Sequence, residues 1–148
     1  MPLIFTKANI FDLDVEVLVN PVNCVGVMGA GLAKEFKNRF PDHYKFYKEM
    51  CEEGNVEIGG LGGSHIDGQV IIFLVTKLHW KDPSKLEYIE EALESLKNYI
   101  ITHKRRSVAL PALGCGLGGL AWKDVKELIK EHLENIPNCE IYSLEPRD

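Results

Sequence analysis

The sequence predicts a three-layer α/β/α sandwich formed by a single domain over residues 1–148. Three observations carry this. Apolar runs of strand character alternate with segments of helical period, the order expected of an α/β fold. The best strand candidates are apolar without a break, which suits a sheet covered on both faces. No internal repeat or linker divides the chain, and 148 residues suffice for one core.

The first strand candidate, Val15-Glu16-Val17-Leu18-Val19, is β-branched. A helix follows the Gly29-Ala30-Gly31 start, with Leu32, Ala33, Phe36 and Phe40 on one face. Gly59-Gly60-Leu61-Gly62-Gly63 reads as a hairpin or loop inside the domain. Val70-Ile71-Ile72-Phe73-Leu74-Val75 is the strongest strand candidate. Ser84 is the predicted N-cap of a long helix, with Glu87 completing a capping box and Leu86, Ile89, Leu93, Leu96 and Ile100 pointing inward. Ser107-Val108-Ala109-Leu110 and Ile141-Tyr142-Ser143-Leu144 are shorter strands. Between them lies an amphipathic helix with Val125, Leu128, Ile129 and Leu133 on its apolar face.

Composition narrows the function classes. The net charge of −5, with no block of like charges longer than Lys104-Arg105-Arg106, argues against a long electrostatic grip on nucleic acid. It leaves room for recognition of one modified nucleotide. The four cysteines, Cys24, Cys51, Cys115 and Cys139, form no CxxC pair and the five histidines are scattered, so neither a metal site nor a disulfide framework is expected. The N-terminus has no hydrophobic signal region and no apolar run reaches membrane-spanning length. A cytoplasmic protein without membrane contact is the expectation.

Ligands of open α/β sheets bind beyond the carboxyl ends of the strands. Three unusual clusters are predicted there: Asn20-Pro21-Val22-Asn23-Cys24, Thr76-Lys77-Leu78-His79-Trp80, and Gly114-Cys115-Gly116-Leu117-Gly118-Gly119. The last matches GxGxxG, but the dinucleotide fingerprint belongs to the first βαβ unit and this segment lies near the end of the chain. No Gly-Lys-Ser/Thr follows, which excludes a P-loop. Closely spaced glycines before a helix still let backbone N–H groups approach phosphate oxygens; a tight strand-to-helix connection would use the same glycines. Gly26-Val27-Met28-Gly29-Ala30-Gly31 is a second such segment, and two of them suit a diphosphate held between loops. Asn20 and Asn23 offer amides for ribose hydroxyls or a water, or else serve as turn formers. Lys77 is either a solvated strand-ending lysine or, among apolar walls, a base or nucleophile. His79 and Trp80 are candidate contacts to the target, or loop aromatics packed on a helix.

These residues carry a resemblance. Leu18 to Ala33 resembles the ribose and phosphate loop of macrodomains, and Pro111 to Leu120 with Trp122 is similar to that family's second phosphate loop. Thr76-Lys77, His79-Trp80, Pro83-Ser84 and Leu86 to Glu90 look most like the DarG antitoxin branch, a relative of the terminal ADP-ribose glycohydrolases. The likeness runs from about Phe5 to Leu144 and implies a macrodomain with a mixed central sheet.

The resemblance implies ADP-ribose as ligand and no cofactor or metal. It assigns Lys77 and Asn23 to catalysis. It assigns Asn9, Ile10, Asn20, Val27, Met28, Gly29, Ala30, Gly31, Thr76, Gly114, Cys115, Gly116, Leu117 and Gly118 to ligand binding. Gly118 stands where the glutamate-linked branch has an aspartate, which favours thymidine-linked ADP-ribose on single-stranded DNA as substrate. Asn9 stands where many macrodomains place an aspartate against the adenine amino group, and its amide oxygen can accept the same bond. A DNA ADP-ribosyltransferase toxin is the implied partner. The competing readings are a reader module without turnover and a hydrolase of glutamate-linked or free ADP-ribose derivatives.

Overall fold

The computed structural model describes residues 3–29, 31–115 and 118–146. Its elements run β1 Leu3–Thr6, β2 Val17–Val22, α1 Gly31–Arg39, α2 Pro41–Glu52, β3 Leu61–Ile66, β4 Gln69–Val75, α3 Leu86–Thr102, β5 Ser107–Leu110, α4 Trp122–Leu133 and β6 Glu140–Leu144. The strands form one six-stranded sheet in the order β1-β6-β5-β2-β4-β3. All neighbours are parallel except the β3–β4 hairpin, so the sheet is mixed.

Strand alternation distributes the core between two layers. From β4, Val70, Ile72 and Leu74 face α3 and α4, where they meet Leu93, Leu96, Val125 and Ile129. Ile71, Phe73 and Val75 face the other way, toward Phe36 of α1 and Tyr47 of α2. An unbroken apolar run is therefore two interleaved half-sets, each buried under its own helix pair.

Several expectations need correction. β2 begins at Val17 and continues through Asn20, Pro21 and Val22, so the first three residues of that cluster belong to the strand and only Asn23 and Cys24 follow it. A proline is tolerated there because β5 pairs only with Val17 and Leu18, leaving β4 as the sole neighbour farther along. Helix α1 ends at Arg39, and Phe40 becomes the residue before Pro41 at the start of α2. Ser84 does not cap α3: Lys85 holds that position without a side-chain bond, and the capping box does not form. The Gly59–Gly63 segment resolves into a hairpin strand beginning at Leu61. Its turn is Asp67-Gly68, both at positive φ, the geometry that matches strand twist.

His43 of α2 is fully buried, bonded through Nδ1 to Ser64 Oγ at 3.0 Å, with Nε2 unpartnered among the described residues. Burial lowers its pKa from 6.5 to about 4. Between those values the unfolded chain takes up a proton that the folded chain refuses, so stability falls as pH drops through the window. Denaturant midpoints measured from about pH 7 to about pH 4.5 should fall more steeply for wild type than for His43→Asn. Parallel slopes would remove His43 as the cause.

Candidate functional site

A cavity of about 1060 Å³ opens at the carboxyl ends of the parallel strands. Every one of them contributes to its wall: Ala8, Asn9 and Ile10 after β1, Leu144 to Pro146 at the end of β6, and Pro111 and Ala112 after β5. Pro21 and Val22 of β2, Asn23 just after it, and Thr76 and Lys77 after β4 complete the row. Four inter-strand steps separate β1 from β4, roughly 19 Å at ordinary strand spacing. A site of that length suits an extended dinucleotide better than a single base.

At the β1 end, Asn9 Oδ1 accepts the Phe11 N–H at 3.0 Å, capping a 3-10 turn over Ile10–Asp12. One lone pair of that oxygen is left for a ligand. Ile10 is buried, and the carboxylates of Glu35 and Glu145 also line the wall.

The loop after β2 is built on Asn23. Its Oδ1 accepts from Val25 N at 3.0 Å and Val27 N at 3.4 Å, with Tyr47 Oη 2.9 Å away, and its Nδ2 donates to Val27 O at 2.8 Å. The oxygen is thus saturated by the protein, leaving one N–H for a ligand. Asn23 lines the cavity; Asn20 does not. Asn20 is fully buried within β2, with Nδ2 3.6 Å from Met28 Sδ and Oδ1 unpartnered among the described residues. The Met28 side chain is likewise core, packed with Tyr47 and Phe73. Val27, Gly29 and Gly31 reach the wall, and Ala30 lies outside the described residues.

Tyr47 fastens this loop, its hydroxyl donating to Asn23 O at 2.7 Å as well as meeting Oδ1. Burial pushes the phenol far above its usual range, so it acts as a permanent donor. Tyr47→Phe should cost about 1–3 kcal/mol, the penalty for stranding a buried acceptor. ADP-ribose affinity, read by calorimetry, should weaken as the loop loosens; unchanged affinity and stability would deny it that role.

The loop after β5 places Gly114, Cys115 and Gly118 on the wall, while Gly116 and Leu117 lie outside the described residues. Gly114 has φ +70, and a Cβ there would stand 2.8 Å from Leu120 Cδ1. At Gly118 a Cβ would stand 2.5 Å from Gly114 O, so the absent carboxylate has no space to occupy. The Cys115 thiol is pushed up to about 11 by burial and donates to Leu113 O, which makes it a poor nucleophile near neutrality.

After β4, Thr76 is buried and donates its N–H to Val22 O at 2.9 Å. Lys77 is half-buried on the wall and donates from Nζ to Trp80 O at 3.0 Å. It is the one cationic side chain lining the cavity among the described residues. Trp80 is also on the wall, whereas His79 stands behind it, ring stacked on Trp80 and Nδ1 accepting from Lys81 N. Ser84 joins two loops: Oγ donates to Thr76 O at 2.5 Å and the backbone N–H donates to Gly118 O at 3.0 Å.

The sequence reading missed Tyr47 and the joining role of Ser84. A signal for Tyr47 existed: Pro41 followed by His43, Tyr44, Tyr47, Met50 and Cys51 is a helix start with apolar residues at helical spacing. No cluster of three or more His, Cys, Asp or Glu side chains suited to a metal occurs among the described residues.

An α/β/α sandwich with a nucleotide-length cleft at the carboxyl ends of its strands, floored by glycine loops, is the architecture of a macrodomain. The chain belongs to the Macro domain family, whose profile matches residues 19–129. It is 45% identical over 146 residues to the DNA ADP-ribosyl glycohydrolase of Thermus aquaticus, covering 96% of this chain and 41% of that protein. The protein of the same name from Mycobacterium tuberculosis is 40% identical over 140 residues, covering 92% and 40%. The chain therefore spans about two fifths of the length of these curated relatives. The structure titled macrodomain of Thermus aquaticus DarG matches with a TM-score of 0.92 at 44% identity, over 97% of this chain and 98% of that one. Thermosipho africanus DarTG in complex with ADP-ribose matches at 0.89 and 31%, over 99% of this chain and 43% of that one.

Proposed function

We propose that this chain binds ADP-ribose and hydrolyses the glycosidic bond joining it to an acceptor, with thymidine in single-stranded DNA as the acceptor. The observation that carries the proposal is Lys77, among the described residues the one cation on the wall, set just after β4 and held beside Trp80. A module that only reads ADP-ribose has no need of an amine there. The names of the Thermus and Mycobacterium relatives and the ADP-ribose complex of the Thermosipho structure support the reading. A relative named as a DNA ADP-ribosyl transferase-DNA ADP-ribosyl glycohydrolase fusion supports a transferase partner.

In this reading adenine lies toward Asn9 and Ile10, the diphosphate between the two glycine loops, and the distal ribose against Asn23 and Lys77. Two routes use the same amine. Lys77 can attack the anomeric carbon as the bond to the base breaks, the base leaving with a proton. The ring-opened sugar is then held as an imine, which water hydrolyses to ADP-ribose and free amine. Alternatively, protonated Lys77 can stabilise the departing base while water adds to the same carbon.

The test incubates the protein with ADP-ribosylated DNA and with ADP-ribosylated glutamate peptide, following free ADP-ribose. Release from DNA is the expected result, and binding of ADP-ribose without release from either target would establish a reader. Borohydride added during turnover should trap a covalent adduct if the imine route operates and none if it does not.

A further inference from the structure

We infer that the rim beside the cavity mouth binds the nucleotides that flank the modified one in a single strand, an inference that rests on the DNA reading above. Among the described residues, seven large hydrophobic side chains are exposed. Four of them, Val25, Val27, Leu78 and Trp80, lie on the two loops that follow β2 and β4 at one side of the mouth. The loops are joined, with Cys24 N donating to Leu78 O at 3.0 Å, and Val27 and Trp80 reach the cavity wall itself. Scattered exposed hydrophobics are ordinary, but a cluster at the edge of a site marks a contact surface.

The chemistry of the cluster selects its occupant. Trp80 is 45% exposed, and its ring is held against His79 at a centroid distance of 5.6 Å and 26°. It is thus presented as a braced plate. The segment from Thr76 to Lys85 carries Lys77, Lys81 and Lys85 against one acid, Asp82, in a chain whose net charge is −5. Lys81 Nζ lies 5.0 Å from the Trp80 ring centroid. Aromatic plates beside flexible lysines are how proteins hold single strands, the bases stacking and the phosphates meeting the ammonium groups. An acidic peptide would use the lysines but leave the braced indole without a partner.

The test has two arms. Fluorescence anisotropy with a labelled, unmodified oligothymidine, at saturating ADP-ribose, reads the surface without turnover. Trp80→Ala should bind it at least about tenfold more weakly, with Trp80→Phe largely restoring affinity, as expected when one base is deprived of its stacking partner. Changing Lys81 and Lys85 together to alanine should flatten the salt dependence by about 0.7 for each phosphate no longer neutralised. The second arm compares KM for ADP-ribosylated thymidine monophosphate with KM for the same nucleotide inside an oligomer. Wild type should prefer the oligomer and Trp80→Ala should lose that preference. Wild type that releases ADP-ribose from both substrates with equal KM overturns the surface while leaving the hydrolase intact. Oligomer binding without release from any DNA overturns the hydrolase while leaving the surface. An equal rise in KM for Trp80→Ala on an ADP-ribosylated peptide would make the rim a general acceptor surface and overturn the nucleic-acid assignment.

Discussion

Lys77→Ala should lower the rate of ADP-ribose release by at least about two orders of magnitude, the usual contribution of a positioned acid–base group. ADP-ribose binding should stay within about tenfold, or 1.4 kcal/mol, because the glycine loops and the Asn9 end are untouched. Single-turnover release from ADP-ribosylated thymidine DNA, with calorimetry of ADP-ribose on the same preparations, reads both quantities. Lys77→Arg sharpens the result. Arginine keeps the positive charge and can reach a carbonyl such as that of Trp80, yet it cannot act as a neutral amine. Substantial activity in Lys77→Arg selects the electrostatic route, and a loss equal to that of alanine selects the nucleophilic or basic one. Equal rates for wild type and Lys77→Ala would remove Lys77 from the mechanism.

Gly118→Asp should destroy activity, even though it introduces a carboxylate at the position where the glutamate-linked branch carries one. The side chain would begin 2.5 Å from Gly114 O and 2.9 Å from Gly114 C and Cα, all backbone atoms of the same loop. Backbone cannot step aside as the tip of a flexible side chain does, so the loop must open. Overpacking of this kind costs about 1–3 kcal/mol, and it falls on the segment expected to face the diphosphate. Gly118→Ala should show most of the same loss, in both melting temperature and ADP-ribose affinity. A Gly118→Asp protein that binds normally and turns over glutamate-linked ADP-ribose would mean that the missing carboxylate alone separates the two branches.

The layers of this fold were legible because they depend on periodicity. The β4 run and the Ile89–Ile100 spacing each report burial, which is what hydrophobic pattern encodes, whereas Leu86, expected to point inward, is exposed in the first turn of α3. β3 was harder to read, since Gly62 and Gly63 look like loop. The reason lies across the sheet: a Cβ on Gly62 would stand 2.5 Å from the Phe73 ring, so the aromatic fills the space of the missing side chain. The site was legible as a set of loops and less so as a set of side chains. Lys77, Thr76 and Gly114 stand on the wall as read. Asn20 does not, because strand alternation past Val19 turns it into the layer under α1 and α2. Ser84 sits in a sequence that satisfies the capping box, and only the three-dimensional neighbourhood of Thr76 O decides where its hydroxyl goes.

Ser84 also has a bearing on how such a domain can change its target. The segment from Leu78 to Pro83 is fixed at both ends by main-chain acceptors. Leu78 O takes the Cys24 N–H, and Thr76 O takes the Ser84 hydroxyl. The lysine is steadied by the carbonyl of Trp80, a group that any amino acid would supply. The side chains along this stretch are therefore free of the task of placing the amine. They can be exchanged to suit a different acceptor while the Lys77 nitrogen keeps its coordinates. In engineering terms, the loop is a replaceable cassette clipped to a fixed mount.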